Sequence, residues 1–346
     1  MENKFKFFFL FSISLVAIIL LVLYVFNFFL FKYLPEQSNI KNFIINNEIE
    51  KKVLIIKKDF NNIYFDRIYK NNLAQYSSSD CFLLGSSQHV TLDINLNVFY
   101  NCKRLTNLAI QGATMEDFLI TIYFIMKNEK KPKKIFIGVE PPIFYLDYDP
   151  EQRWKIYENY FENAVDLIQT EYVIKNKLND VSKYLSFNFF KQNIANYIDG
   201  KSLFNNFELI EKKDNILPYF DHLGVLKNSN QKKIDHDLDM TGFRRDIYLE
   251  KLPFSRKIFN DLVIFLQQNN LEIIFITLPY REDVFQNINW SLNIKETNLL
   301  LTNLKEKYDL ELKGTFYSNN IARCDFDNFI DRSHPNKDCI NIVLSK

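Results

Sequence analysis

The stretch Cys81-Phe82-Leu83-Leu84-Gly85-Ser86-Ser87 decides the fold. Its apolar run, ended by a glycine, predicts a short strand that is buried on both faces of a sheet. A glycine permits a sharp turn, which would expose a serine hydroxyl at the end of that strand. We therefore expect Ser87 to lie at the carboxyl edge of a parallel sheet.

Working outward from this stretch, apolar runs of strand length alternate with helical patterns. Strands are predicted at residues 82–84, 105–110, 134–139 and 272–278, and helices at 115–127 (with Thr114 as the N-cap), 256–269, 296–308 and 338–345. This alternation predicts an α/β domain with a parallel sheet and helices on both faces. Ligands of such sheets bind beyond the carboxyl ends of the strands, which is where Ser87 is expected.

A second motif, Asp331-Arg332-Ser333-His334, lies near the other end of the chain. His334 is expected to take the proton of the Ser87 hydroxyl, and Asp331 to hold the imidazole in the required tautomer. His89 is a rival base, but the turn is expected to hold it away from a serine only two residues before it. We interpret His89 and His222 as surface or core residues. The order and positions of the two motifs indicate serine nucleophile chemistry.

The N-terminal stretch 7–31 carries no charged side chain and is followed by Lys32. A helix rises about 1.5 Å per residue, so this stretch is long enough to cross a hydrocarbon core of about 30 Å. No small-residue cleavage pattern of a signal peptide precedes Pro35. Because Lys4 and Lys6 come first, we expect a single-pass protein of the cytoplasmic membrane with its N-terminus inside and its main domain outside. The alternative is a buried apolar helix.

These patterns divide the chain into an anchor, a spacer and one domain with an insertion. We expect a cytoplasmic N-terminus at 1–6, a transmembrane anchor at 7–31, a spacer with lead-in helices at 32–75, the α/β domain at 76–142 and 256–346, and a helical insertion at 143–255. The insertion has helical candidates at 154–170 and 172–197. A long insertion of this kind either holds a substrate or only stabilises the fold, and both interpretations stay open.

The composition and two local clusters bear on which ligands the protein binds. The net charge of +1, with 25% charged residues, argues against an electrostatically driven nucleic-acid binder. The cluster Asp235-His236-Asp237-Leu238-Asp239 has no second His or Cys group at a supporting spacing, so we interpret it as a solvated loop and expect no metal site. Gly242-Phe243-Arg244-Arg245 either contacts an anionic head group or faces solvent.

The four cysteines are informative if the domain is exported. Cys324 and Cys339 bracket the Asp331–His334 loop, and a disulfide between them is predicted to contribute about 3 kcal/mol and to restrain that loop. Cys81 and Cys102 either form a second bridge or are buried thiols, and both interpretations stay open. Buried reduced thiols are the alternative for both pairs.

The two motifs resemble those of the SGNH/GDSL hydrolase-like superfamily, in its membrane-anchored branch that carries Gly-Ser-Ser in place of Gly-Asp-Ser. That branch includes the D-alanyl transfer protein of teichoic acid modification and periplasmic polysaccharide O-acetyltransferases. The resemblance covers roughly residues 78–140 and 270–346. It implies a three-layer, flavodoxin-like α/β domain with a nucleophilic Ser87, and a triad that Asp331 and His334 complete.

Two further blocks of that family can be compared with this chain. Asn107-Leu108-Ala109-Ile110-Gln111-Gly112-Ala113 resembles the second block, which implies that the backbone N–H groups of Ser87 and Gly112 hold an oxyanion. The third block of the family is Gly-x-Asn-Asp, whereas this chain has Gly138-Val139-Glu140-Pro141. A carboxylate in place of the asparagine repels an oxyanion unless it turns away.

The resemblance implies an extracytoplasmic serine acyltransferase or esterase that modifies a cell-envelope glycan or glycolipid through an acyl-serine intermediate, without a cofactor. A membrane-bound acyl-donating protein is an expected partner. One alternative is a non-catalytic scaffold of the same fold that partners such a protein, and Glu140 is the residue that favours it. Another is an anchored structural protein, which would require Ser87 and His334 to lie far apart.

Overall fold

The computed structural model of the chain describes residues 2–32, 53–55, 65–92, 95–144, 154, 157–170, 190, 194, 209–210, 219–220, 226–227, 245–321 and 324–345. The chain forms two compact units. One combines Met1–Asn39 with Tyr172–Glu208, and the other combines Ile40–Glu171 with Leu209–Lys346.

Helices and strands alternate through the described part of the larger unit, while the smaller unit contains one long helix. The helices are α1 (Glu2–Lys32), α2 (Phe65–Tyr76), α3 (Met115–Lys127), α4 (Glu158–Ile168), α5 (Arg245–Gln268), α6 (Ile288–Tyr308) and α7 (Lys337–Leu344). The strands are β1 (Val53–Ile55), β2 (Cys81–Leu84), β3 (Leu105–Asn107), β4 (Lys134–Gly138), β5 (Leu209–Ile210), β6 (Tyr219–Phe220), β7 (Leu226–Lys227), β8 (Glu272–Thr277) and β9 (Glu311–Gly314).

The larger unit is built around a five-stranded sheet with the order β3-β2-β4-β8-β9. Every neighbouring pair is parallel, with Cys81 opposite Lys134 and Lys134 opposite Glu272. The first of these strands in the chain therefore lies between the second and the third, as in one common doubly wound arrangement. In that arrangement the ligand crevice opens between the first and third strands, here β2 and β4. The predicted α/β fold with a parallel sheet is confirmed.

Both faces of the sheet are covered, because residues along a strand point alternately to opposite sides. On one side, Leu83, Phe136 and Ile274 share a buried apolar cluster with Ile340 and Val343 of α7. On the other side, Phe275 of β8 stacks on Phe259 of α5, with ring centroids 5.7 Å apart. The sheet is thus buried on both faces, which explains why its strands are almost continuously apolar.

Helix α2 carries two charged side chains into the interior. Arg67 and Lys70 are 1% and 0% exposed. Arg67 donates to both carboxylate oxygens of Asp117 in α3, at 2.9 and 2.8 Å, and Lys70 Nζ donates to the Asn107 carbonyl at 2.8 Å. Buried charges are tolerated when they are paired and hydrogen-bonded in this way. Helix α2, predicted only as a lead-in element, is therefore fixed to α3 and to the end of β3.

Three elements differ from the sequence-based prediction. Strand β9 was not predicted, because it is a short, partly exposed edge strand with the polar sequence Glu311-Leu312-Lys313-Gly314. Helix α6 begins at Ile288 rather than at 296, because the Asn287 side chain caps it by accepting from the Asn289 and Trp290 N–H groups. Strand β3 ends at Asn107 rather than at 110, because the Asn107 side chain accepts from the Ala109 N–H at 2.9 Å.

The segment 143–255 is helical only in part among its described residues. Helix α4 lies within the first helical candidate, and α5 begins at Arg245, before the predicted boundary at 256. Strands β5, β6 and β7, however, belong to a small sheet with β1, in the order β5-β1-β6-β7. The second helical candidate at 172–197 lies outside the described residues, apart from Phe190 and Ile194.

The smaller unit contains α1, which covers the uncharged stretch 7–31. The rings of Phe26 and Phe190 meet edge to face, with centroids 6.1 Å apart. Most of the large apolar side chains described between Phe11 and Phe26 are exposed. Within the described part of the chain, no helix was found with the length and hydropathy of a membrane span.

The predicted Cys324–Cys339 disulfide is present, and Cys81 and Cys102 also form a disulfide. Cys81 and Cys102 have Cα atoms 5.9 Å apart, and Cys324 and Cys339 have Cα atoms 5.0 Å apart. The first links the start of β2 to the segment before β3. The second joins the segment before the Asp331–His334 loop to α7, so that the loop is closed at its base.

Removing the second bridge should lower the stability of the domain. In the double variant Cys324→Ala/Cys339→Ala we expect the free energy of unfolding to fall by about 3 kcal/mol, because the unfolded chain regains the entropy of an open loop. Denaturant unfolding of the purified protein measures this. An unchanged unfolding midpoint would contradict a stabilising bridge, and alkylation without reduction checks that the parent protein has no free thiols.

Candidate active site

Ser87 lies at the start of a single 3-10 turn, Ser87–His89, that follows β2 directly. Ser86, in extended conformation with φ of −112°, makes the change of direction. Gly85 is not among the described glycines with positive φ, so its role differs from the sharp turn predicted for it. A Cβ atom at Gly85 would lie 2.7 Å from two atoms of the His89 side chain. Glycine is needed there because of a close approach, not because of backbone strain.

The second motif comes back to this turn from the far end of the chain. Ser87 Oγ and His334 Nε2 are 2.9 Å apart, across a sequence separation of 247 residues. On the other side of the ring, His334 Nδ1 lies 2.8 Å from Asp331 Oδ2. With Nδ1–H donating to the carboxylate, Nε2 is left to accept the Ser87 hydroxyl proton. The structure thus brings together all three residues that the sequence analysis selected.

The Asp331–His334 loop is held in one conformation by its own hydrogen bonds. Asp331 Oδ1 accepts from the Ser333 N–H at 2.7 Å, the Ser333 hydroxyl at 2.9 Å and the His334 N–H at 2.9 Å. At the base of the loop, the Ile330 N–H donates to the His334 carbonyl at 2.8 Å. Asp331 therefore orients both the imidazole and the backbone that carries it.

The charges of the site favour an ionised Asp331 and a more basic His334. Burial by itself would raise the pKa of Asp331, but the hydrogen bond and charge of His334 and the hydrogen bonds from Ser333 hold that pKa well below its usual range. Burial by itself would lower the pKa of His334, but Asp331, through its hydrogen bond and charge, and Glu140, through its charge, raise it above the ordinary value. A raised pKa makes His334 a stronger proton acceptor.

Gln88 connects the two halves of the site. Its side-chain amide donates to the Ser333 carbonyl, and its backbone N–H donates to Glu140 Oε1 at 3.1 Å. The residue directly after the serine is thus fixed both to the histidine loop and to the end of β4. Sequence analysis did not select Gln88, and only its place next to Ser87 could have drawn attention to it.

Glu140 and His89 form a buried pair beneath the serine turn. Glu140 is 6% exposed and His89 is 0% exposed, and His89 Nδ1 lies 3.3 Å from Glu140 Oε1. The His89 ring also lies against the end of β4, because a Cβ atom at Gly138 would come within 2.4 Å of it. His89 is therefore a core residue and not the base. The Glu140 carboxylate points toward the Gln88 N–H and the His89 ring.

The turn that contains Gly112 lies next to the serine turn, Ser87–His89. The Ile110 N–H donates to the Gly85 carbonyl at 3.1 Å, and the turn is closed by the Ala113 N–H donating to the Ile110 carbonyl at 3.1 Å. Gly112 has φ of 61°, which favours glycine. Helix α2 holds the turn in place, since Arg67 donates to the Gly112 carbonyl at 3.2 Å. Among the described residues, neither the Ser87 nor the Gly112 N–H donates a hydrogen bond.

Asn107 is a further buried residue that shapes the site. Its side-chain amide donates to the carbonyl groups of His89 and Leu92, at 2.8 and 2.9 Å. These bonds fix the segment after Ser87 to the end of β3. Its position within the predicted strand at 105–110, which is mostly apolar, is the signal that sequence analysis could have used.

A metal or cofactor site was not expected. No group of three or more His, Cys, Asp or Glu side chains in the described ranges is arranged to hold a metal ion. The cluster Asp235–Asp239, His222 and Gly242–Arg244 lie outside the described residues. Comparison of the chain with protein families, with curated proteins and with solved structures found no match.

The contact between His89 and Gly138 gives a test of the packing beneath Ser87. In Gly138→Ala the new methyl group overlaps the His89 ring, so we expect a loss of about 1–3 kcal/mol of stability and a displaced serine turn. The double variant Gly138→Ala/His89→Ala should recover part of that loss, because the ring is gone. Denaturant unfolding of both variants and of His89→Ala alone measures the coupling. Purely additive effects would contradict the contact.

Glu140 gives a test of the electrostatics. Its negative charge raises the pKa of His334, so Glu140→Gln should lower that pKa and move the acid limb of any reaction that needs neutral His334 to lower pH. NMR titration of labelled histidine side chains measures the pKa without relying on a reaction. Glu129→Gln, which removes an exposed carboxylate at the far end of α3, serves as the control and should leave the titration unchanged. An unchanged His334 titration in Glu140→Gln would refute this role.

Proposed function

We propose that the protein is an acyl-transferring serine enzyme, an acyltransferase or esterase of the SGNH/GDSL type, acting outside the cytoplasmic membrane on a cell-envelope glycan or glycolipid. One observation carries the proposal, namely the continuous hydrogen-bonded chain from Ser87 Oγ through His334 to Asp331. This arrangement activates a serine hydroxyl in otherwise unrelated folds. The order of the strands and the crevice at their carboxyl ends agree with such a site.

The reaction is a double displacement. His334 Nε2 takes the proton of Ser87 as Oγ attacks the acyl carbonyl, and the tetrahedral intermediate collapses to an acyl-serine while His334 protonates the leaving group. His334 then takes a proton from the acceptor hydroxyl, or from water, as its oxygen attacks the acyl-serine. Ser87 leaves with that proton. Asp331 stays ionised throughout and stabilises the imidazolium.

The oxyanion of each tetrahedral intermediate needs preorganised donors. We assign this role to the backbone N–H groups of Ser87 and Gly112, for three reasons already described. Neither N–H is used within the described structure, the turn with Gly112 is bonded to Gly85, and Arg67 fixes its orientation. The Glu140 carboxylate is paired elsewhere, so it does not need to face the oxyanion.

The location outside the membrane is proposed on the sequence and on the cysteines. The uncharged stretch 7–31, with Lys4 and Lys6 before it, is the basis for a single N-terminal anchor. The exposed apolar side chains of α1 would be covered by a bilayer. Both disulfides are typical of an exported domain. A membrane-bound acyl-donating protein is the partner that would supply the acyl group on that side.

The second candidate function is a non-catalytic scaffold, which the carboxylate at position 140 favours. The two functions make opposite predictions for covalent chemistry. A scaffold is not labelled by a serine-reactive phosphonate, yet its deletion abolishes the envelope modification. An anchored structural protein does not fit the 2.9 Å contact between Ser87 and His334.

Phosphonate labelling tests the proposal directly. The parent protein should be labelled at Ser87. The Ser87→Ala variant should not be labelled, and its rate of acyl transfer or hydrolysis should fall by at least about 10³-fold. Ser86→Ala is a matched control on the neighbouring serine and should keep the label, because the Ser86 side chain makes no capping hydrogen bond. Asp331→Asn should slow labelling by about 10⁴-fold, because the ring then takes the wrong tautomer. An unlabelled parent protein, or an unchanged reaction rate in Ser87→Ala, would refute the proposal that the protein is a serine enzyme.

A further inference from the structure

An open groove lies at the carboxyl edge of the sheet, beside the loop that carries His334. Its cavity has a volume of about 580 Å³ and is lined by Glu282, Asp283, Phe285, Gln286, Tyr317 and Asn319. A neighbouring cavity of about 480 Å³ shares Glu282 and Asn319 with it and extends to Asp325. Volumes of this size match those of ligand sites. No residue of the triad lines either cavity.

The groove is attached to the active site through Arg332. The Arg281 N–H donates to the Arg332 carbonyl at 3.0 Å, and Arg332 Nε lies 3.1 Å from Asp283 Oδ2. Arg332 is two residues before His334. A ligand held in the groove would therefore lie beside Asp283, whose partner Arg332 belongs to the loop that presents the imidazole to Ser87.

An aromatic pair forms one wall of the groove. The rings of Phe285 and Tyr317 are stacked, with centroids 5.3 Å apart and an angle of 22° between their planes. Both side chains are half-buried, so each keeps accessible apolar surface while it supports the other. A flat apolar wall of this kind suits a ligand with an apolar face and a polar rim.

The polar lining is made of planar acceptors and donors. Glu282, Gln286 and Asn319 are exposed and offer carboxylate and amide groups to the hydroxyl groups of a ligand. An aromatic wall opposite such groups matches a saccharide ring, whose C–H face is apolar and whose edge carries hydroxyls. A purely apolar ligand, such as an acyl chain, would make no hydrogen bond with these polar groups.

Charge further restricts the ligand. Asp283 is neutralised by Arg281, which donates to both of its carboxylate oxygens at 2.7 and 2.8 Å, and by Arg332. Arg281 directs both its Nε and Nη2 groups at this carboxylate, and Arg332 directs its Nε there. The exposed carboxylates that remain, Glu282 and Asp325, repel phosphate and uronate groups.

We propose that this groove binds an uncharged saccharide unit of the acceptor and orients its hydroxyl group toward the Ser87 site. The orientation of that hydroxyl group toward Ser87 rests on the proposed function, whereas the binding of the sugar does not. The binding of the sugar follows from the aromatic wall, the polar rim and the charge of the groove. The groove thus selects neutral glycans over polymers that carry phosphate or uronate groups.

Sugar binding can be measured on the full-length protein in detergent, without any reaction. We expect the neutral probes cellohexaose and chitohexaose to bind saturably in calorimetry and in saturation-transfer NMR. Phe285→Leu and Tyr317→Ala should each weaken binding about tenfold, the value of one aromatic contact. Tyr317→Phe, which keeps the ring, should bind like the parent. Leu299→Ala, which truncates an exposed apolar side chain of α6, should also leave binding unchanged.

Each result bears on the proposal. The proposal that the groove binds sugar would be refuted if neither neutral probe bound saturably. It would also be refuted if Phe285→Leu and Tyr317→Ala bound the probes like the parent protein. Equal or tighter binding of an anionic oligogalacturonate would overturn the charge argument and with it the uncharged ligand. Thermal unfolding verifies that each variant is folded. Phosphonate labelling of the same variants separates the two hypotheses: sugar binding without labelling retains the groove and rejects the enzyme, whereas labelling without sugar binding does the reverse.

Discussion

The imidazole of His89 occupies the space above two glycines at the ends of adjacent strands, and the candidate site depends on this contact. Gly85 ends the run from β2, and Gly138 ends β4, so a side chain at either position would occupy the volume of the ring. With the ring in place, the segment between Ser86 and Val90 can cross the crevice between the two strands. Ser87 then faces His334, while the Gln88 backbone N–H and the His89 ring face Glu140. The nucleophile is therefore positioned by packing below it and by hydrogen bonds beside it.

Two carboxylates surround one imidazole, and their roles differ because their partners differ. Asp331 is bound to the ring itself and to the backbone of its own loop. Glu140 acts on His334 through its charge, while its carboxylate accepts a hydrogen bond from the Gln88 N–H and lies 3.3 Å from His89 Nδ1. The first carboxylate fixes the geometry of the base, and the second adjusts its affinity for a proton. The Glu140 carboxylate is thus engaged by Gln88 and His89 at the end of β4.

The parallel sheet and the three triad residues could be predicted from the sequence because their signals are local. An apolar run before Gly85, and an aspartate three residues before His334, are visible without knowledge of the fold. The edge strand β9, the early start of α6 and the small sheet with β1 were missed, since short, polar or capped elements carry weak periodic signals. The buried hydrogen bonds of Arg67 and Lys70 could not be predicted, because their partners, Asp117 and the Asn107 carbonyl, are remote in sequence. The groove beside Phe285 likewise depends on a stacking contact with Tyr317, in a different element of the fold.

The separation of 247 residues between Ser87 and His334 has a consequence for how the site comes into being. Contacts between segments so remote along a chain form late, because most of the intervening polypeptide must be ordered first. During synthesis the serine emerges long before its base, and β8 and β9 must join the sheet before the last loop can dock. A nascent or prematurely terminated polypeptide therefore carries an inert hydroxyl. In the proposed enzyme, Ser87 would become reactive only after this last loop has docked.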